Sequence, residues 1–415
     1  MVRKCIFVLA LLLMSVNVLL QADTSLPTWQ KGWFEIHYIN TKLGNSVFFI
    51  FPDGTTLLYD AGELPWDTYS KEKQAEYCLP IDSVSPGKQI VEYIRRVLPN
   101  KKSVIDYAVV SHFHSDHYGT VTADSEHSRK GDYYLSGITE VYEYLPFNML
   151  IDRAYPDYDY PVDLRRFHDE HTLSGATFYN YLHFVENIKK QGVAVSGLKV
   201  GDDDQIALLH NVDETFKVRN IKSSNQYWTG QGNAVEVFDF SKSPLLKDGK
   251  FNENPLSIAL LFTYGNFKYY IGGDTSGVNN WPDVNMEATL APIIDEVDAM
   301  SPHHHGYKDA TNACFLSTLN PQVIVQQSLH VPHFQKNVMT VMKEQGADVF
   351  ALNYPNNISP EIQKIRNGLY KDSNAHIVIK VKPGGDEFYV DIYRTDTSGL
   401  KCDARYGPYY SRRSK

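Results

Sequence analysis

Apolar residues first cluster in short blocks of strand length. Residues 33–39, 46–51 and 56–59 are rich in β-branched and aromatic side chains and predict three strands. Pro52-Asp53-Gly54 separates the last two and predicts a hairpin turn. The period then changes. After a polar loop over 63–86, Ile90, Ile94 and Val97 recur at helical spacing over 88–98, and Pro99-Asn100 ends that helix. Residues 104–110 are again a short apolar run and predict a buried strand.

The pattern is weaker over 120–250, where 178–191 predicts a helix, 193–200 a strand and Gly201-Asp202-Asp203-Asp204 a turn. Tyr155-Pro156-Asp157-Tyr158-Asp159-Tyr160-Pro161 predicts a loop. Order returns at 257–264 and 268–271, two strands joined by Gly265-Asn266. Strands at 297–302, 323–325 and 349–352 then alternate with helices at 311–318 and 336–344, the second capped by Gly346. A closing hairpin is expected over 375–382 and 387–393, followed by a basic, Tyr-rich tail that frays over 412–415. Such alternation predicts a layered α/β fold.

Composition narrows the class. At 415 residues and 43% hydrophobic, the chain can bury a large core and is not a disordered protein. Met1-Val2-Arg3-Lys4 is basic, 5–20 is mostly apolar and Ala22 is small, so residues 1–22 read as a cleaved secretory signal. The expected product is a periplasmic or secreted domain over 23–415, with no stable membrane span after cleavage. Loss of Arg3 and Lys4 takes the net charge from −9 to about −11, which disfavours broad nucleic-acid binding and leaves nucleic acid only as a possible substrate. Cys78, Cys314 and Cys402 leave room for one disulfide but make no framework, and Cys314 is expected to pack in the core.

The chemistry concentrates in His112-Phe113-His114-Ser115-Asp116-His117, on the loop leaving the strand at 104–110. On an extended turn His112 and His114 point the same way, while Asp116 and His117 follow on a tighter bend. One loop can therefore feed two metal ions about 3.5–4 Å apart. Three further strand ends carry residues of the same type: Asp274 in Gly272-Gly273-Asp274-Thr275, His303-His304-His305, and His330-Val331-Pro332-His333. Asp60 leaves the strand at 56–59 and can orient a ligand from behind. The region from 120 to 250 adds His127, His168, His171, His183 and His210, each read first as a surface or packing residue.

On these residues the chain resembles the metallo-β-lactamase-fold hydrolases. Within them it looks closest to the competence-protein (DNA-internalisation) type, through Asp274, then His304-His305-Gly306, then the Asn320-Pro321 break before Val323. The resemblance covers roughly 33–125 and 254–395, leaving about 128–250 as an insertion. It implies a four-layer αβ/βα sandwich and two divalent metal ions, usually zinc, with manganese or iron as alternatives. Carried over, His112 and His114 serve one metal, Asp116 and His117 the other, and Asp274 bridges. His304 or His305 would be a ligand or an acid, and His333 the last ligand.

The chemistry expected is hydrolysis, with Asp116, His304 and His305 as catalytic candidates. A hydroxide generated between two cations attacks a phosphoester, most simply the phosphodiester of a small or polymeric substrate. The same hydroxide also serves lactones, thioesters and β-lactams, and a non-catalytic metal- or ligand-binding protein is the reading from another class.

Overall fold

The computed structural model describes residues 28–77, 83–99, 102–169, 171–277, 281–355, 358–396 and 399–413. The expected signal over 1–22, Cys78 and the last two residues lie outside them.

In chain order the strands are β1 (Phe34–Tyr38), β2 (Val47–Ile50), β3 (Thr56–Tyr59), β4 (Ile105–Val110), β5 (Phe147–Asp152), β6 (Ala194–Gly197), β7 (Phe216–Ser223), β8 (Gln226–Trp228), β9 (Val235–Val237), β10 (Leu246–Lys247), β11 (Lys250–Phe251), β12 (Ala259–Tyr264), β13 (Phe267–Ile271), β14 (Ala299–Met300), β15 (Val323–Gln326), β16 (Asp348–Ala351), β17 (Tyr370–Ser373), β18 (His376–Val381), β19 (Glu387–Asp396) and β20 (Gly399–Tyr410). Among the described residues they form two nine-stranded sheets, β20-β19-β18-β1-β2-β3-β4-β5-β6 and β17-β16-β15-β14-β13-β12-β7-β8-β9, with β10-β11 apart. The run β3 to β6 is parallel, as is β13 to β17.

The sheets pack face to face. Alternate residues Phe34, Ile36 and Tyr38 of β1, and Val47 and Phe49 of β2, meet Phe262, Tyr269, Val325 and Phe350 from the other sheet. Phe49 stacks on Phe262 at 4.6 Å. The other face of β2, Phe48 and Ile50, packs with Ile90, Ile94 and Val97 of the helix Pro86–Val97 and with Ile138, Phe184 and Ile188 of two further helices. Across the molecule, Leu290, Phe315, Leu319, Met339 and Met342 cover the second sheet from the helices Met286–Ile294, Ala313–Leu319 and Lys336–Gln345. The result is the four-layer αβ/βα sandwich that the resemblance implied. Strands with both faces covered read as unbroken apolar runs, which is why β2 and β4 were visible in the sequence.

The stretch 128–250 is built into both layers. It supplies β5 and β6 to one sheet and β7, β8 and β9 to the other. Two expectations are corrected. Residues 399–410 form a strand, and the end is anchored: the Arg412 N–H donates to Asp298 Oδ1 at 2.9 Å, and Arg413 reaches Asp298 Oδ2 at 3.1 Å. The buried Asp298 carboxylate needs those donors. Cys314 is exposed, one position off the helical face that buries Phe315, Leu316 and Leu319. Among the described residues no helix is long and apolar enough to cross a membrane.

The inter-sheet stack yields a stability prediction. Phe262→Ala should lose about 3–5 kcal/mol, read from the urea-denaturation midpoint. A loss under about 1 kcal/mol would mean that the sheets are not held together at this pair.

Candidate metal centre

The candidate ligands leave the carboxyl ends of parallel strands in both sheets, the usual place for chemistry in such sheets. β3 ends in Asp60, β4 runs into 111–117, β13 ends in Gly272-Gly273-Asp274, and β14 leads to His303–Gly306. Gly62 lets two of these loops touch, since a Cβ there would lie 1.8 Å from the Asp116 carbonyl oxygen. Gly273 turns at φ +52°, which sends Asp274 back across the sheet edge. His304 and His305 also have positive φ, 46° and 54°, so the backbone reverses between consecutive imidazoles.

Two groups of donors result, and Asp274 belongs to both. The first is Asp116, His117, Asp274 and His305; the second is His112, His114 and Asp274. In the first, His117 Nε2 lies 3.2 Å from Asp274 Oδ1, and His305 Nε2 lies 3.2 Å from Asp116 Oδ2 and 3.4 Å from Asp274 Oδ2. In the second, His112 Nε2 lies 3.2 Å from His114 Nδ1 and 3.8 Å from Asp274 Oδ2. Donors held tetrahedrally at zinc distances stand ~3.3 Å apart.

Hydrogen bonds behind the rings decide which nitrogen faces inward. His117 Nδ1–H donates to Asp60 Oδ2 at 2.8 Å, and His305 Nδ1–H to the Gln327 carbonyl at 2.8 Å. Ser111 Oγ spends its proton on Asp60 Oδ2 and Ser257 Oγ spends its own on the Asn254 carbonyl. Both oxygens therefore accept from His112 Nδ1, at 3.1 and 3.2 Å. Nε2 of His112, His117 and His305 is left as the nitrogen that faces inward.

These residues fit metal ions. His112 Nε2 and His114 Nδ1 face each other at 3.2 Å, so a single cation would take both nitrogens as donors together with Asp274. His305 Nε2 is buried and makes no hydrogen bond, although two carboxylates are near. Imidazole with carboxylate is a donor set for zinc, manganese or iron. The second group has three donors among the described residues, which leaves a position open.

Other candidates stand elsewhere. His333, expected as the last ligand, is outside both groups. Its Nδ1 accepts the Leu329 N–H at 3.1 Å, so Nε2 carries the proton and has no lone pair to offer; its ring stacks on His305 at 4.3 Å. His305, expected with His304 as a ligand or an acid, falls in the first donor group. His303 is buried on the far side, with both nitrogens committed to Glu287 Oε1 and the Tyr270 hydroxyl. His304 is at the rim, 17% exposed, 3.8 Å from Asp274 Oδ2, with Nδ1–H donating to the buried Asp309 at 2.8 Å. His330 packs against Tyr77 and His333. His127 pairs with Asp132 on the surface, His168 packs on Phe178, and His210 lies beside Lys102; none of these, nor His171 or His183, joins either group.

Electrostatics follow from burial and pairing. Burial, then the charge of His117, holds His112 well below the ordinary imidazole range. Burial also lowers His114. For Asp274 burial opposes ionisation, but His117, His305 and His304 outweigh it and hold the carboxyl well below its usual range. Burial likewise disfavours a charged His305, but Asp274 and Asp116 raise it to about 10.

The sequence reading passed over Ser111, Ser257, Asn254 and Asp309. Ser257 and Asn254 follow an unreadable stretch and no periodicity marks them; Asp309 lay four residues past the His run as an ordinary loop acid.

No family model matches the sequence, and no curated protein matches it. Among the solved structures that resemble it in part are the following three. A mutant of the CmlA beta-hydroxylase aligns at 10% identity and TM-score 0.37, over 86% of this chain and 54% of that one. Zn(2+)-bound PqqB from Methylobacterium extorquens aligns at 14% and 0.28, over 62% and 59%. A protein of unknown function from Enterococcus faecalis aligns at 9% and 0.29, over 82% and 77%. This chain thus spans little more than half the length of the first two, and the fold assignment rests on the topology above.

A zinc-ligating imidazole is neutral, whereas His305 at about 10 is protonated at pH 7. Metal binding at pH 7 should therefore release at least one proton, and affinity should rise with pH up to about 10. Calorimetric Zn²⁺ titration in buffers of different ionisation enthalpy reads this directly; a buffer-independent heat would contradict the assignment of His305.

Proposed function

We propose that the protein is an exported hydrolase that uses two divalent metal ions, zinc first, to cleave a phosphodiester. The observation that supports this best is the sharing of Asp274 between two donor groups. A cation pair bound there supplies a water of lowered pKa and a Lewis-acid clamp for the leaving oxygen. The chain's own residues do the rest. His112 and His114 make up the three-donor arm with Asp274. Asp116, at the partly exposed edge of the other group, accepts a hydrogen bond from the attacking water and orients it. Asp60 keeps His117 in one tautomer.

A phosphodiester is favoured over a thioester by the rim. An alkoxide leaving group needs a proton, and His304 stands at the rim, held by Asp309 at Nδ1 and by Asn254 at Nε2, as the imidazole that would relay one from solvent. The competence-type pattern of the second half points the same way. Export rests on the amino-terminal sequence alone.

The test is elemental analysis of the purified protein with bis(p-nitrophenyl) phosphate turnover before and after chelation. About two metals per chain and chelator-sensitive turnover are expected. Two metals without turnover would shift the substrate to a lactone, thioester or β-lactam, and no metal under zinc-replete conditions would overturn the proposal. Asp116→Asn and Asp274→Ala should each lower kcat/KM by more than about 100-fold with the fold intact by circular dichroism. His127→Ala should leave turnover unchanged.

A further inference from the structure

One turn, 253–257, touches three of the ligand-bearing loops. Ser257 Oγ accepts from His112 Nδ1 and from the Asp274 N–H at 3.1 Å. Asn254 Nδ2 donates to His304 Nε2 at 3.1 Å. The fully buried Lys222 side-chain amine holds the turn from behind through the Pro255 and Ser257 carbonyls. At its start stands Glu253, 4% exposed, in a two-pronged ion pair with the 5% exposed Arg153 at the end of β5. Arg153 Nη2 lies 2.6 Å from Glu253 Oε2, and its Nε donates to Oε1.

The pair grips the residue between two ligands. Glu253 Oε1 also accepts the Phe113 N–H at 3.1 Å, and the Arg153 guanidinium lies 4.9 Å from the centre of the Phe113 ring. Phe113 is fixed by main chain and side chain at once. That matters more for His114 than for its neighbours. His112 is held by two serines, and His117 by Asp60. Among the described residues the His114 imidazole makes no hydrogen bond except the one toward His112. Its place is set by the backbone on either side, and Glu253 holds that backbone.

We propose that Glu253, locked by Arg153, is a positioning residue that selectively secures the metal of the His112–His114–Asp274 group. The first group, built from Asp116, His117, His305 and the shared Asp274, is held by other contacts. This rests on the two-metal reading above.

The experiment titrates metal-free protein with Co²⁺, following stoichiometry by calorimetry and the visible ligand-field bands of each bound ion. Wild type should take two ions. The Arg153→Met/Glu253→Leu double variant removes both charges together, so no unpaired ion is left buried. It should bind one Co²⁺ as wild type does and the second about 10–100-fold more weakly, with the corresponding bands lost at limiting metal. Two sites of wild-type affinity, or equal weakening at both, would overturn the inference while leaving the metal centre standing. Wild type that binds no Co²⁺ would overturn the metal centre itself, and this inference with it. Should the double variant not fold, Glu253→Gln keeps an acceptor for the Phe113 N–H while losing the charge and the Oε2 acceptor that Arg153 Nη2 uses. It should show a smaller loss confined to the same site, and unchanged or equally weakened binding at both sites would overturn the inference.

Discussion

The constraint on which the structure depends is the burial of carboxylates at the edge where the two sheets meet. Asp60 and Asp274 are almost wholly removed from water and Asp116 largely so. An isolated carboxylate there would cost several kcal/mol, so each must be paired. Asp60 pairs with His117 and Ser111; Asp116 and Asp274 face His117 and His305. The same imidazoles must turn Nε2 inward, which is why each has its outer nitrogen bound to a fixed acceptor. Pairing and pre-orientation are one arrangement, and it leaves the centre with donors that only a cation satisfies fully.

That arrangement needs both sheets. One contributes Asp60 and the loop at 111–117; the other contributes Asp274 and the loop at 303–306. The aromatic core between them, with Phe49 on Phe262, sets their spacing, and close main-chain contacts such as Gly62 against Asp116 set the last ångström. The 253–257 turn then ties the halves together through Glu253 and Ser257. Rigidity of this kind is what a catalytic site requires and what a flexible metal-binding tail would lack.

Much of this was legible along the chain where one element is buried on both faces or one loop carries several ligands. β2, β4 and β12 read as apolar runs, and the HxHxDH cluster (His112 to His117) announced its chemistry by composition alone. Within 128–250 the helix over 178–191 and the strand near 193–200 were legible, but β5, β7, β8 and β9 were not, because they are short, partly exposed or near a sheet edge and carry no continuous apolar pattern. β20 was missed for the same reason: its inward residues are Ala404, Tyr406 and Tyr409, which read as a polar tail. Positioning residues such as Glu253, Arg153 and Ser257 carry no motif, since what they do depends on partners 100 or more residues away.

By itself the sequence determined the class of fold, the loop at the centre of the chemistry and the second strand end at Asp274, because periodicity and ligand spacing are local properties of a chain. Only the tertiary structure decided among the histidines. Three in a row at 303–305 are equivalent in sequence, but two consecutive left-handed residues send His303 into the helical layer, His304 to the rim and His305 into the donor group. His333 has a ligand's residue type and sits beside the centre, yet the Leu329 N–H occupies one nitrogen and puts the proton on the other. Which lone pair is free is set by a hydrogen bond from elsewhere in the fold, and spacing along the chain carries no record of it.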